Sequence, residues 1–287
     1  MFRLVNVDGR AALEHDCGWH DLATVVGDDA VADPIVAVSR HRQLHGLTAS
    51  LPDRTPDGLV ADVVLGAPVP VPRQCFGIGL NYRDHAGESG AALPPAPLTF
   101  TKFPTCIAGP TAEIPLSGAM VDWEVELVVV IGTEASHVRV EDAWDHVAGL
   151  TLGQDISDRA VQMTGMPPQF SLGKSFAAFG PTGPAIVSHD AFADRDEIRL
   201  WCDVDGERMQ EATTRMLIFP VPTLVAYLSS ITRLQPGDLI FTGTPAGVGM
   251  ARNRYLAEGE TIVSGADVIG ELRNRCVAGT GPLAVEA

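Results

Sequence analysis

Apolar residues along this chain fall into short runs cut by glycine and proline, and most runs alternate with polar positions rather than recurring every three or four residues. Period-two alternation marks strands, because successive side chains leave opposite faces. Strands are predicted over 2–7, with a turn at Asp8-Gly9, and over 75–79, 98–102, 124–131 and 198–204. Val204-Asp205-Gly206-Glu207 has the composition of a hairpin turn. A short buried strand is expected over 239–242, and 261–268 is expected to pair with 270–276.

Two segments read as helices. Over 34–45, Asp33 would cap the start, Pro34 would be the first helical residue and Gly46 would stop it. Over 222–234, Leu224, Val225, Leu228 and Ile231 recur at helical spacing before Pro236-Gly237. Pro52, Pro56 and the run Ala67-Pro-Val-Pro-Val-Pro-Arg73 cannot continue a helix or a central strand. They place a boundary that divides a small N-terminal domain, 1–70, from a large domain, 71–287. Strands outnumber helices without regular βαβ alternation, so the expected class is α+β, β-dominated, rather than doubly wound.

Composition narrows the function. The 287 residues carry 36 acids against 20 bases, a net charge of −16, and no basic stripe interleaved with aromatics, which argues against nucleic-acid binding. No apolar run approaches the ~20 residues that span a bilayer, and the first residues lack the pattern of a secretion signal. Cys17, Cys75, Cys106, Cys202 and Cys276 are odd in number and form no C-x-x-C, which fits reduced thiols in a cytoplasm.

The richest chemistry lies in Asp122-Trp-Glu-Val-Glu-Leu-Val-Val-Val-Ile-Gly132. On a strand, Glu124 and Glu126 share one face, where like charges repel unless a cation compensates. With Asp155, from Gly153-Gln-Asp-Ile-Ser-Asp-Arg159, they form an oxygen-only set suited to Mg²⁺ or Mn²⁺. The competing reading is a solvated face carrying two surface carboxylates. In Asn81-Tyr-Arg-Asp-His85-Ala-Gly-Glu88, one helical turn would bring His85 onto Glu88 as an oriented general base, or merely as a structural pair. Lys174, between glycine and Ser-Phe, is either a stabiliser of developing negative charge or an ordinary surface lysine. Thr242-Gly-Thr-Pro-Ala-Gly-Val-Gly249 lacks the order of a phosphate loop; it reads as a tight loop offering amides and Thr244 to an anion, or as a plain turn.

Two ligand-rich stretches are set aside. Glu14 to His20 falls in a predicted loop of the small domain, and His41 and His45 lack the glutamate of a zinc-protease helix. No G-x-S-x-G elbow suggests a serine hydrolase.

Taken together, the segments resemble the fumarylacetoacetate hydrolase family, in its acylpyruvate-hydrolase and 2-oxo-acid branch. The resemblance rests on 79–88, Phe100-Thr-Lys-Phe-Pro104, 122–127, 153–162, Gly173-Lys-Ser-Phe176, Gly180-Pro-Thr-Gly-Pro184 and 234–249, which run in order through the large domain. It implies a mixed β-roll catalytic domain in a homodimer, with Mg²⁺ or Mn²⁺ on Glu124, Glu126 and Asp155. It further implies a lid carrying His85 and Glu88, and a substrate pocket lined by Tyr82, Arg159, Gln162, Lys174 and Thr244. The sequence departs from the family after Lys174, where an aspartate is common, and after Gln210, where Glu211-Ala-Thr213 replaces Gly-Asn-Thr. The implied activity is metal-dependent hydrolysis of a C–C bond in a 1,3-dicarbonyl acid through a metal-stabilised enolate, with catalytic His85, Glu88 and Lys174. Oxaloacetate decarboxylation and isomerisation of a hydroxymuconate-type acid use the same site, and a non-catalytic metal-binding homologue is a further alternative. Met163 to Gln169 is expected to shape an apolar wall of the pocket.

Overall fold

The strand Val125–Ile131 organises the molecule. Every one of its residues is buried, so both of its faces are covered. Leu127, Val129 and Ile131 enter one core with Leu224 and Leu228 of the long helix. Val128 and Val130, one residue out of phase, enter a second core with Phe2, Leu4 and Phe241. Alternation along one strand thus divides the interior in two.

The computed structural model describes residues 1–88 and 92–282. Among them, a twelve-stranded sheet runs through Gly18–Asp21, Arg10–His15, Arg3–Val7, Gly180–Val187, Val147–Gln154, Val125–Ile131, Leu239–Phe241, Cys75–Gly79 and Leu98–Thr101. Most pairs are antiparallel, while Leu239–Phe241 runs parallel to Cys75–Gly79. A five-stranded sheet holds the hairpin Arg199–Val204/Glu207–Thr213, then Thr261–Ala266, Gly270–Ala278 and Ile114–Leu116. Helices are few and short, the longest being Val221–Ile231. The class is α+β and β-dominated.

The first 70 residues add their strands to the same sheet, through antiparallel pairing of Arg3–Val7 with Gly180–Val187. Their apolar side chains share the second core with Val128 and Phe241. The helix expected over 34–45 is two helices, Pro34–Ser39 and His41–Thr48, broken at Arg40. Asp33 does cap the first, accepting from the Ile35 and Val36 amides, but Gly46 lies inside the second rather than ending it. Ile231 is 70% exposed despite its helical spacing: Leu228 and Ser229 of the last turn stay buried, and Ile231, the final helical residue, faces solvent.

Two central strands escaped the sequence pattern, Val147–Gln154 and Gly180–Val187. Gly149, Gly153, Pro181 and Pro184 count against strand by propensity. Packing explains the glycine: a Cβ at Gly149 would stand 2.5 Å from the Val187 carbonyl oxygen, so the close approach of these two strands requires its absence. No helix among the described residues is long and apolar enough to cross a membrane.

Candidate active site

The site begins where Val125–Ile131 and Val147–Gln154 end side by side. Val125 pairs with Gln154, the Asp155 amide donates to the Glu124 carbonyl at 2.8 Å, and the Glu124 amide donates to Gln154 Oε1 at 2.8 Å. The Asp155–Glu124 backbone bond extends the ladder by one residue on each strand, while the Gln154 side chain satisfies the Glu124 amide. They bring Glu124, Glu126 and Asp155 together, with one carboxylate oxygen of each within 4.8 Å of the others. The surface-carboxylate alternative is excluded by burial: Glu126 is 1% exposed and Asp155 fully buried.

Buried cations surround the acids. Lys174 Nζ donates to Glu124 at 2.7 Å, Asp155 at 2.6 Å and Ser157 Oγ at 2.8 Å, which uses all three of its hydrogens. Lys102 Nζ donates to the other Asp155 oxygen at 2.6 Å and to the Lys174 and Phe179 carbonyls. Arg159 binds Asp122 at 2.8 Å, Glu124 at 2.6 Å and Gln162 at 2.8 Å. Burial pushes the Glu124 carboxyl up, but Lys174 and Arg159 outweigh it and hold the group down to about 2. Glu126 goes the other way: burial, then the Asp155 and Glu124 charges, raise it well above the usual carboxylate range. In this cluster four carboxylates, with Asp122 as the fourth, face three cations, and Glu126 is the acid to which none of the three donates. Such a shortfall, in an all-oxygen donor set, fits a hard divalent cation.

The loop after Leu239–Phe241 supplies amides, as expected from its glycines, but spends them on the protein's own acids. Gly243 N donates to Glu126 at 2.7 Å, Gly247 N to both Glu88 oxygens at 3.1 Å, and Gly249 N and Met250 N to Asp122 at 2.6 and 2.9 Å. Gly247, at φ 105°, admits no side chain: a Cβ there would lie 2.0 Å from the Met209 carbonyl oxygen. The Thr244 hydroxyl donates to the Val125 carbonyl at 2.9 Å and accepts from Gln210 Nε2 at 2.8 Å.

Opposite this floor stands the helix Arg83–Glu88. His85 Nδ1 and Glu88 Oε2 are 3.4 Å apart, longer than a settled hydrogen bond. A cavity of about 170 Å³ separates helix and floor, and its wall includes His85, Glu124, Glu126, Arg159, Lys174 and Thr244. Gln162 also lines it. Asp155 lies beneath, reached through Lys174, and Glu88 sits behind His85, anchored on Gly247. Tyr82 is fully buried outside this wall with no partner for its hydroxyl, and burial pushes its phenol up. Met163 faces the cavity, but Met166, at 97% exposure, does not; the wall expected over 163–169 is confined to its first residue.

Sequence reasoning assigned no role to Lys102, Asp122, Ser157 or Gln210. Asp122 shares the parity of Glu124 and Glu126, which was the available signal. Lys102 directly follows the strand Leu98–Thr101. His41 and His45 line a separate cleft with His189 and Trp144. Among the described residues, Glu124, Glu126 and Asp155 are the group with three convergent metal-ligating atoms.

The description fumarylacetoacetate hydrolase C-terminal matches residues 74–277. The chain belongs to the fumarylacetoacetate hydrolase family. It is 39% identical to human mitochondrial oxaloacetate tautomerase FAHD2A, over 76% of this chain and 70% of that one. It is 42% identical to the fumarylacetoacetate hydrolase domain-containing protein 2 homolog of Dictyostelium discoideum, over 71% of each. The maleylpyruvate hydrolase of Sphingobium sp. SYK-6, solved with manganese and pyruvate, superimposes with a TM-score of 0.81 at 28% identity, covering 97% of this chain and all of that one. Family members include hydrolases and isomerases, and the acidic cluster at the end of the central strands is a candidate divalent-metal centre.

Proposed function

We propose that this protein is a Mg²⁺- or Mn²⁺-dependent hydrolase that cleaves the C–C bond of an acylpyruvate or related 2,4-dioxo acid. The observation that carries the reading is a buried carboxylate triad of unbalanced charge, facing an oriented histidine across a small cavity. Glu124, Glu126 and Asp155 would hold the cation, which when bound supplies Lewis-acid polarisation of the substrate's carbonyl oxygens.

The remaining steps belong to side chains. Glu88, fixed by the Gly247 amide, engages His85 Nδ1 and leaves proton transfer to Nε2. His85 removes a proton from water, and the hydroxide adds to the distal carbonyl carbon. The C–C bond then breaks, its electron pair passing to the pyruvyl fragment as an enolate. The proton held by His85 returns to that fragment's carbon, giving a 2-oxo acid and a carboxylic acid. Lys174 acts on this charge through space, since its hydrogens hold Glu124, Asp155 and Ser157 in place. Arg159, Gln162 and Thr244 shape the substrate's seat.

Oxaloacetate chemistry is the second reading, favoured by the name of the human relative. Decarboxylation or tautomerisation needs the same polarised 2-oxo acid and a proton transfer that His85 would serve equally, but no water attack, so the products separate the readings. Product-resolved turnover of acylpyruvates and oxaloacetate, with metal and with chelator, tests them. Two carboxylic acids released per acylpyruvate support the hydrolase; CO₂ or keto–enol exchange from oxaloacetate alone replaces it. The proposal also takes the protein to be a cytoplasmic homodimer, supported by its five free thiols and by the family resemblance.

A further inference from the structure

Charge is distributed very unevenly around the cavity: the ionised groups line its floor and much of the remaining wall is apolar, so a 2-oxo acid held at the floor by its oxo-acid end would turn its distal group to the apolar part. Ile78, Leu80, Phe100, Met163, Phe170 and Met250 supply the cavity's apolar side chains. Phe100 and Phe170 meet edge to face at 5.8 Å, and the Phe100 ring lies 5.0 Å from Lys174 Nζ. The apolar surface therefore starts directly beside the charged floor.

The basic residues that line the cavity are Arg159, Lys174 and His85. Arg159 is balanced by Asp122 and Glu124. Lys174 is balanced by Glu124 and Asp155. His85 is paired with Glu88 and assigned to proton transfer. Arg83, on the same helix, is exposed and outside the wall. Among the described residues, no lining cation is left to meet a second substrate carboxylate. A carboxylate pressed against this wall would lose its hydration without gaining a partner, whereas each methylene buried there is favourable.

We propose that the site selects 2-oxo acids whose distal acyl group is a short, uncharged hydrocarbon over those that carry a second carboxylate at that end. The inference rests on the acylpyruvate reading above and sharpens it. Oxaloacetate and maleylpyruvate, the compounds named for two of the similar proteins, are both diacids. A preference for an uncharged distal group would set this protein apart from the diacids in those names.

The test compares matched pairs on the metal-loaded protein. Butanoylpyruvate and succinylpyruvate differ only in a terminal methyl against a carboxylate. The kcat/KM of the former is expected to be higher by about tenfold or more, the factor given by ~1.4 kcal/mol of unpaired-charge burial. Calorimetric binding of the unreactive pair 2-oxopentanoate and 2-oxoglutarate should show the same order. Met163→Arg, which puts a cation at the cavity mouth, should raise the relative kcat/KM for succinylpyruvate and tighten 2-oxoglutarate. Equal or tighter binding of 2-oxoglutarate to the unaltered protein overturns the preference, whatever is turned over. Tighter binding of 2-oxopentanoate with no acylpyruvate cleaved leaves the preference standing and removes the hydrolase reading.

Discussion

Glu126 and Glu88 lie on opposite sides of one cavity, and their surroundings differ in kind. Glu126 is 1% exposed on a strand paired on both sides, wedged against two other carboxylates, and held by the Gly243 amide. Glu88 closes a six-residue helix, shows 23% of its side chain to solvent, and is anchored through the Gly247 amide. A helix that short has no stability of its own in water, so its placement comes from tertiary contacts. The floor is preorganised by the fold, as a metal site would need to be; the helix facing it is positioned by a few bonds that a bound substrate would tighten. Floor substitutions should therefore change metal affinity and stability, and lid substitutions should change turnover alone.

The largest effect that could break this contrast is on metal binding. Glu126→Gln keeps the shape and removes the charge, and should weaken Mn²⁺ binding by more than the roughly 10–100-fold typical of outer-shell changes. Unchanged affinity by calorimetry would take Glu126 out of the ligand set. His85→Ala is the complementary case. It should lower kcat by about 10²–10⁴, the usual worth of a general acid–base group, while leaving Mn²⁺ affinity where it was. A parallel loss of metal would show that lid and floor are one unit.

Much of this contrast was legible in the residues. Alternation placed Glu124 and Glu126 on one face, and i,i+3 spacing placed His85 by Glu88, because both follow from local geometry. What the residues could not show was the destination of polar groups. The amides of Gly243, Gly247 and Gly249 were expected to meet a bound anion and instead meet Glu126, Glu88 and Asp122. An amide donates alike to a ligand or to the chain, and only the fold decides. Lys102 was unreadable for the same reason: its partner Asp155 is 53 residues away. The strands Val147–Gln154 and Gly180–Val187 were hidden by residues chosen for close backbone packing, against local propensity.

Lys102 gives the next effect in size and sharpens the comparison on the side of stability. Its ammonium is fully buried, and its positive charge is set against Asp155. Burial lowers its tendency to hold a proton, and the Asp155 charge more than restores it. Lys102→Met leaves Asp155 short of a partner in the interior, which costs about 3–5 kcal/mol for a broken buried pair. For a chain of this size the melting temperature should fall by roughly ten degrees. A fall within experimental error would mean that Lys174 alone suffices to hold Asp155. By contrast, Glu211→Ala, in the exposed pairs with Arg199 and Arg208, should leave the melting curve where it was.

The smallest effect is a pH slope, and it belongs to the floor. Glu126 in the folded protein holds its proton more tightly than at the ordinary value of 4.5. The folded state then binds more protons than the unfolded chain, so stability falls as pH rises from about 4.5 through the raised folded value. Glu124, held down to about 2, works in the opposite sense: its contribution is present above 4.5 and is lost as pH falls toward 2. Between pH 5 and 8 the Glu126 loss is set against His20, His41 and His189, which burial holds below the ordinary histidine value and which add stability as pH rises, so the Glu126 part is read as the difference in pH slope between the metal-free protein and Glu126→Gln. Glu126→Gln cannot ionise and should lose that part of the slope. Adding Mn²⁺ at pH 8 should raise the melting temperature of the unaltered protein more than that of the variant, because the cation supplies the charge that Glu126 lacks. Parallel curves for the two proteins, with and without Mn²⁺, would show that the unbalanced charge lies elsewhere in the cluster, and Asp155 would then be the acid to test.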